Sequence, residues 1–82
     1  MRRLPRDVSG AKLAKALQRA FGYARVRQTG SHLRLVTDRM GVHKLTVPDL
    51  DPLKIGLLRD LIGSVASHHR LSVEEVLERL EL

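Results

Sequence analysis

Eighty-two residues without a cysteine exclude a disulfide framework, a zinc–thiolate site and a thiol nucleophile. A chain this short buries only roughly 60–65% of its unfolded surface, so chemistry belongs on an open face or in a shallow groove. The formal charge of +6 is unevenly placed: residues 1–46 carry eleven Lys or Arg against two Asp, a net +9, and residues 47–82 carry four against seven acids, a net −3. Soluble surfaces usually intersperse both signs, so the asymmetry points to a polyanion or an acidic protein as partner.

Ser9 is a good N-cap for the first helix, with Val8 placed to staple against Leu13. Leu13, Ala16, Leu17 and Ala20 recur at helical spacing, Lys12, Lys15 and Arg19 lie off that face, and Phe21 extends the apolar contact before Gly22 stops the helix. The period then changes to two. Tyr23-Ala24-Arg25-Val26-Arg27 alternates as a half-buried strand, Gln28-Thr29-Gly30-Ser31 is a turn, and His32-Leu33-Arg34-Leu35-Val36 alternates again. Asp38-Arg39-Met40-Gly41 signals a second turn, and Val42-His43-Lys44-Leu45-Thr46-Val47 is a third strand that Pro48 ends. A second helix begins either at Asp51-Pro52 or later, near Ile55-Gly56, with Leu57 or Leu58, Leu61, Ile62 and Val65 on its core face. Ser72-Val73-Glu74-Glu75 is a capping box that opens a short last helix carrying Val73, Val76, Leu77 and Leu80.

The pattern predicts an α+β fold: a three-stranded antiparallel sheet with helices packed on one face, in the order helix-strand-strand-strand-helix plus a short C-terminal helix, as one domain over residues 1–82. Alternation assigns Ala24, Val26, Leu33, Leu35, Leu45 and Val47 to the helix side. The open side then receives Tyr23, Arg25, Arg27, His32, Arg34, Val42, Lys44 and Thr46, four fixed positive charges and a histidine from all three strands. Opposed like charges destabilise a sheet unless something outside neutralises them, and a phosphate backbone would do so. One exposed aromatic, Tyr23, is too few for a platform that stacks several bases.

At Ser9-Gly10, Gly30-Ser31-His32 and Val47-Pro48 the sequence resembles the HicA-like (YcfA-like) toxin family, and the likeness extends over roughly residues 9–80 through Leu53-Lys54-Ile55-Gly56-Leu57-Leu58-Arg59 and the acidic last helix. Asp49-Leu50-Asp51 departs from the more basic or His-containing stretch of many relatives, and Leu57 stands where relatives commonly have Thr. The resemblance implies a fold like the double-stranded-RNA-binding domain, metal-independent mRNA cleavage without a cofactor, His32 as the essential histidine, and neutralisation by a HicB-like antitoxin. Histidine suits proton transfer from a ribose 2′-hydroxyl because its ordinary pKa is about 6.5. Arg27, Arg34 and Lys44 are then expected to stabilise the phosphate, Arg25 to contact RNA on the same face, and Ser31 to orient the phosphate or the imidazole.

No metal site is expected: His68 and His69 point about 100° apart on a helix, and His43 falls on the apolar side of its strand, at the edge. No small-molecule ligand is expected either. No apolar run approaches the roughly 18 residues that span a bilayer, and Arg2-Arg3 leads into Leu4-Pro5-Arg6, unlike a secretory signal, so a cytoplasmic protein is expected. Two other readings stand beside the interferase: a non-catalytic nucleic-acid-binding module on the same face, and a protein-interaction domain that docks an acidic partner.

Overall fold

The computed structural model describes residues 3–82. Its elements are α1 (Gly10–Phe21), β1 (Ala24–Thr29), β2 (His32–Thr37), β3 (His43–Pro48), α2 (Ile55–His69) and α3 (Val73–Leu80). The strands form a single antiparallel sheet in the order β1-β2-β3, so the α+β order read from the sequence is the order observed.

Local chemistry sets the helix ends. The Ser9 hydroxyl accepts the Lys12 N–H at 3.0 Å, closing the start of α1, and Gly22 ends it in the left-handed region at φ 69 with its N–H turned back to the Gln18 and Leu17 carbonyls. A side chain at residue 22 would be strained at that φ and would strike the Arg39 guanidinium. At α3 the capping box is complete: the Glu75 N–H donates to Ser72 Oγ and the Ser72 N–H donates to Glu75 Oε1, each at 3.0 Å. Those hydrogen bonds hold the Glu75 carboxyl below its ordinary range. Helix α2 takes the later of the two possible starts, with Lys54 at its N-cap and no side-chain cap.

Leu33 and Leu35 of β2 and Leu45 and Val47 of β3 are buried toward the helices, where they meet Leu13 and Leu17 of α1 and Leu58, Ile62 and Val65 of α2. Helix α3 closes this core by packing Val76, Leu77 and Leu80 against α1 and α2. Side chains of this kind stabilise by about 1.5–3 kcal/mol each when fully buried. Among the described residues no helix is long and apolar enough to cross a membrane.

Alternation holds on β2 and β3 and fails on β1, whose six residues are all exposed. Ala24 and Val26, expected to face the helices, do not, and Val26 is 60% exposed. The cause is a bulge: Arg25 pairs with Leu35 and Arg27 with Arg34, leaving Val26 as the extra residue. The side-chain phase therefore flips within the strand. Arg25 shares the helix-facing side with Leu35, contrary to its expected place on the open face, whereas Arg27 lies on the open side with Arg34. Tyr23, expected as an exposed aromatic, is 3% exposed. Its N–H returns to the Leu17 carbonyl at 3.4 Å, so the chain leaves the Gly22 turn with this ring directed under the sheet.

Candidate nucleic-acid interface

Three segments that are distant in sequence meet at one end of the sheet. The Gly10 N–H donates to the Leu50 carbonyl at 2.8 Å, the Leu53 N–H donates to the Val8 carbonyl at 2.8 Å, and the Asp49 N–H donates to the Ser31 carbonyl. His32 is the first residue of β2 and sits between Thr29 of β1 and Pro48 of β3. Ser9-Gly10, Gly30-Ser31-His32 and Val47-Pro48 are thus neighbours in space. Gly10 is required here: a Cβ would overlap the Pro48 carbonyl oxygen and crowd Asp49. Thr29 pairs with His32, so Gly30 and Ser31 make a two-residue hairpin loop, with Gly30 at φ 57.

His32 is exposed, and alternation along β2 puts Arg34 on the same side, about 6.7 Å along the strand. Arg34 pairs with Arg27 on one flank and Thr46 on the other, and Lys44 pairs with Val36 next along the face. Val26, Arg27, Arg34, Val36, Lys44 and Thr46 line a shallow depression of about 330 Å³. The only ion pair among the described residues is Arg19–Glu81, 3.3 Å apart and remote from this face. Arg27, Arg34 and Lys44 therefore present their charges with no carboxylate attached. Of the expected binding residues, the structure gathers Arg27, Arg34 and Lys44 on one face, places Ser31 in the exposed loop beside His32, and puts Arg25 on the opposite side.

A second group of titratable side chains lies at the other end of β3. The Tyr23 hydroxyl is 2.7 Å from His43 Nδ1 and 3.1 Å from His69 Nε2. His43 thus faces the helices as expected but is bonded into a network, and His69 is only 8% exposed. Burial raises the Tyr23 hydroxyl to about 12 and lowers His43 and His69, both of which the neighbouring His68 lowers further. The only sequence sign of this cluster was the helix-side phase of His43; the helix-end pair gave no hint that it meets a tyrosine. Among the described residues no group of His, Asp or Glu is arranged to hold a metal ion.

The site is thus one face of a small α+β domain, a cationic strand surface without acidic partners among the described residues and with an exposed histidine at its rim. Residues 10–65, more than half of the chain, match the family described as the HicA toxin of bacterial toxin-antitoxin systems, and the chain belongs to that family. Its role is that of the toxin in such a pair. The match runs from the start of α1 through most of α2 and leaves α3 outside. No curated protein and no solved structure matches the chain.

Proposed function

We propose that this toxin is a metal-independent endoribonuclease, an mRNA interferase of a type II toxin–antitoxin system, with His32 as its catalytic residue and a HicB-like antitoxin as its inhibitor. The observation that carries the reading is the run of unpaired cations, Arg34 flanked by Arg27 and followed by Lys44, on the same face as the exposed His32.

RNA brings its own nucleophile. In the proposed reaction the His32 imidazole takes the 2′-hydroxyl proton, the 2′-oxygen attacks the adjacent phosphorus, and the bond to the 5′-oxygen breaks. The leaving oxygen is protonated by water or by the imidazolium in a later step, and the products are a 2′,3′-cyclic phosphate and a 5′-hydroxyl. Arg34, Arg27 and Lys44 stabilise the charge that builds on the phosphoryl oxygens, as fixed cations do where charge develops. Ser31 orients the phosphate from the hairpin loop. One observation favours the alternative of a non-catalytic RNA-binding module on this face: among the described residues no carboxylate pairs with His32 to serve as a second proton-transfer group.

The test is cleavage of an end-labelled mRNA in EDTA by the wild type and by His32→Ala. The wild type is expected to cut, leaving 5′-hydroxyl ends, while the variant binds RNA with similar affinity and does not cut. Binding by both proteins with cleavage by neither would establish the non-catalytic module, and 5′-phosphate products would overturn the transesterification.

A further inference from the structure

The cluster at the far end of β3 is a closed chain of hydrogen bonds with a limited capacity for protons. Ser64 Oγ lies 3.0 Å from His43 Nε2, His43 Nδ1 lies 2.7 Å from the Tyr23 hydroxyl, and that hydroxyl lies 3.1 Å from His69 Nε2. Tyrosine has one proton to donate. With both rings neutral, Tyr23 donates to one histidine and accepts from the other, and Ser64 completes either arrangement. One added proton also fits: a His43 imidazolium donates to both Tyr23 and Ser64 while Tyr23 donates to His69, or the charge sits on His69 with the directions reversed.

A second proton does not fit. Both nitrogens facing Tyr23 would then carry hydrogens, and the hydroxyl hydrogen would lose its acceptor inside a site where Tyr23 is 3% exposed. Two imidazolium rings would also face each other with centroids 6.4 Å apart. The surroundings add to the repulsion. His68 of α2 stacks on His43 with centroids 4.4 Å apart and planes 11° from parallel, and its Nε2 donates to the Arg39 and Gly41 carbonyls at 2.8 and 3.0 Å. The charged groups that face His69 from the other elements are Arg39 in the β2–β3 turn and Arg79 of α3, both cationic. No carboxylate pairs with any ring of the cluster among the described residues.

The geometry points to an acid-opened latch: the Ser64–His43–Tyr23–His69 chain ties the starts of β1 and β3 to the C-terminal half of α2, and uptake of a second proton releases that tie. Burial and like charge hold both rings below the ordinary histidine range. A histidine with its folded-state pKa depressed leaves stability fully present above about pH 6.5, and that stability is lost as pH falls toward the folded pKa. Lys44 follows His43 directly on β3, so release at this end loosens the strand that carries part of the basic face. The inference is independent of the RNA reading, because its readouts are folding and ring titration.

Two measurements on the full chain test it. In an NMR titration of the wild-type imidazole rings, His43 and His69 are expected to titrate below about 6.5. Between pH 7.5 and 5.5, above the carboxylate range, the melting temperature is expected to fall on the order of 5 °C. Tyr23→Phe and His69→Gln should each remove at least half of that fall, and His32→Ala should keep it. Titration of both rings at or above 6.5, or an undiminished fall in both network variants, overturns the latch. Should those variants fail to fold, the wild-type ring titration decides alone.

Discussion

Gly10→Ala tests the packing that brings the site together, because two physical rules disagree about its sign. Within a helix, glycine to alanine ordinarily stabilises by up to about 1 kcal/mol through backbone entropy. Here the new methyl would overlap the Pro48 carbonyl oxygen and press on Asp49, both backbone atoms that cannot swing aside as a flexible side chain would. Either α1 slides or the end of β3 retreats, at about 1–3 kcal/mol for overpacking. Either movement also weakens the 2.8 Å hydrogen bond from Gly10 to the Leu50 carbonyl, a loss of about 1 kcal/mol. Close approach therefore outweighs propensity by about 2 kcal/mol, enough to lower the melting temperature by roughly 10 °C and the urea midpoint by roughly 1 M. Circular dichroism on heating and in urea reads both. Retreat of Asp49 pulls on Ser31 through their backbone hydrogen bond, so RNA cleavage should fall at temperatures where the variant is still folded. An unchanged or raised melting temperature would falsify the reasoning, since residue 10 would then answer to helix propensity alone.

Leu80 is 0% exposed, so Leu80→Ala should lose about 2–5 kcal/mol, much of the stability of a small domain, whereas exposed Glu78→Ala should stay within roughly 0.5 kcal/mol; similar urea curves for the two would mean that α3 is not part of the core. On RNA, Arg34→Gln should reduce the slope of log affinity against log salt by about 0.7, the loss of one single-strand phosphate contact. Arg25→Gln, on the opposite side of the bulged strand, should leave that slope alone. A salt titration by fluorescence anisotropy separates them, and equal losses would move the interface off the open face.

The fold was legible where side-chain period alone decides it. Ser9, Gly22 and the Ser72–Glu75 box fix helix ends by local hydrogen bonds, and Leu33, Leu35, Leu45 and Val47 obey strict alternation because each lies over a helix. Strand β1 departs from simple alternation for a local reason. A bulge changes the phase by one residue, and Tyr23-Ala24-Arg25-Val26-Arg27 alternates in sequence whether or not Val26 is extra. Only the pairing of Arg25 with Leu35 and of Arg27 with Arg34 shows that the two arginines part company. The histidine network was illegible for a different reason. Tyr23 lies in the turn before β1, His43 on β3 and His69 on α2, and together they announce no motif; what unites them is the depth at which the Gly22 turn sets the Tyr23 ring.

Arg27 directly opposite Arg34, with no acidic partner for either among the described residues, makes the folded state itself a sensor of its ionic surroundings. Two guanidinium groups held across adjacent strands repel each other in dilute buffer, and the ladder that pairs β1 with β2 bears that load. Any anion that settles between them lowers the free energy of the native state without touching the unfolded chain, by RT ln(1 + [L]/Kd). The same edge strand is thus least secure in an empty, salt-poor solution and most secure in a medium crowded with phosphodiesters.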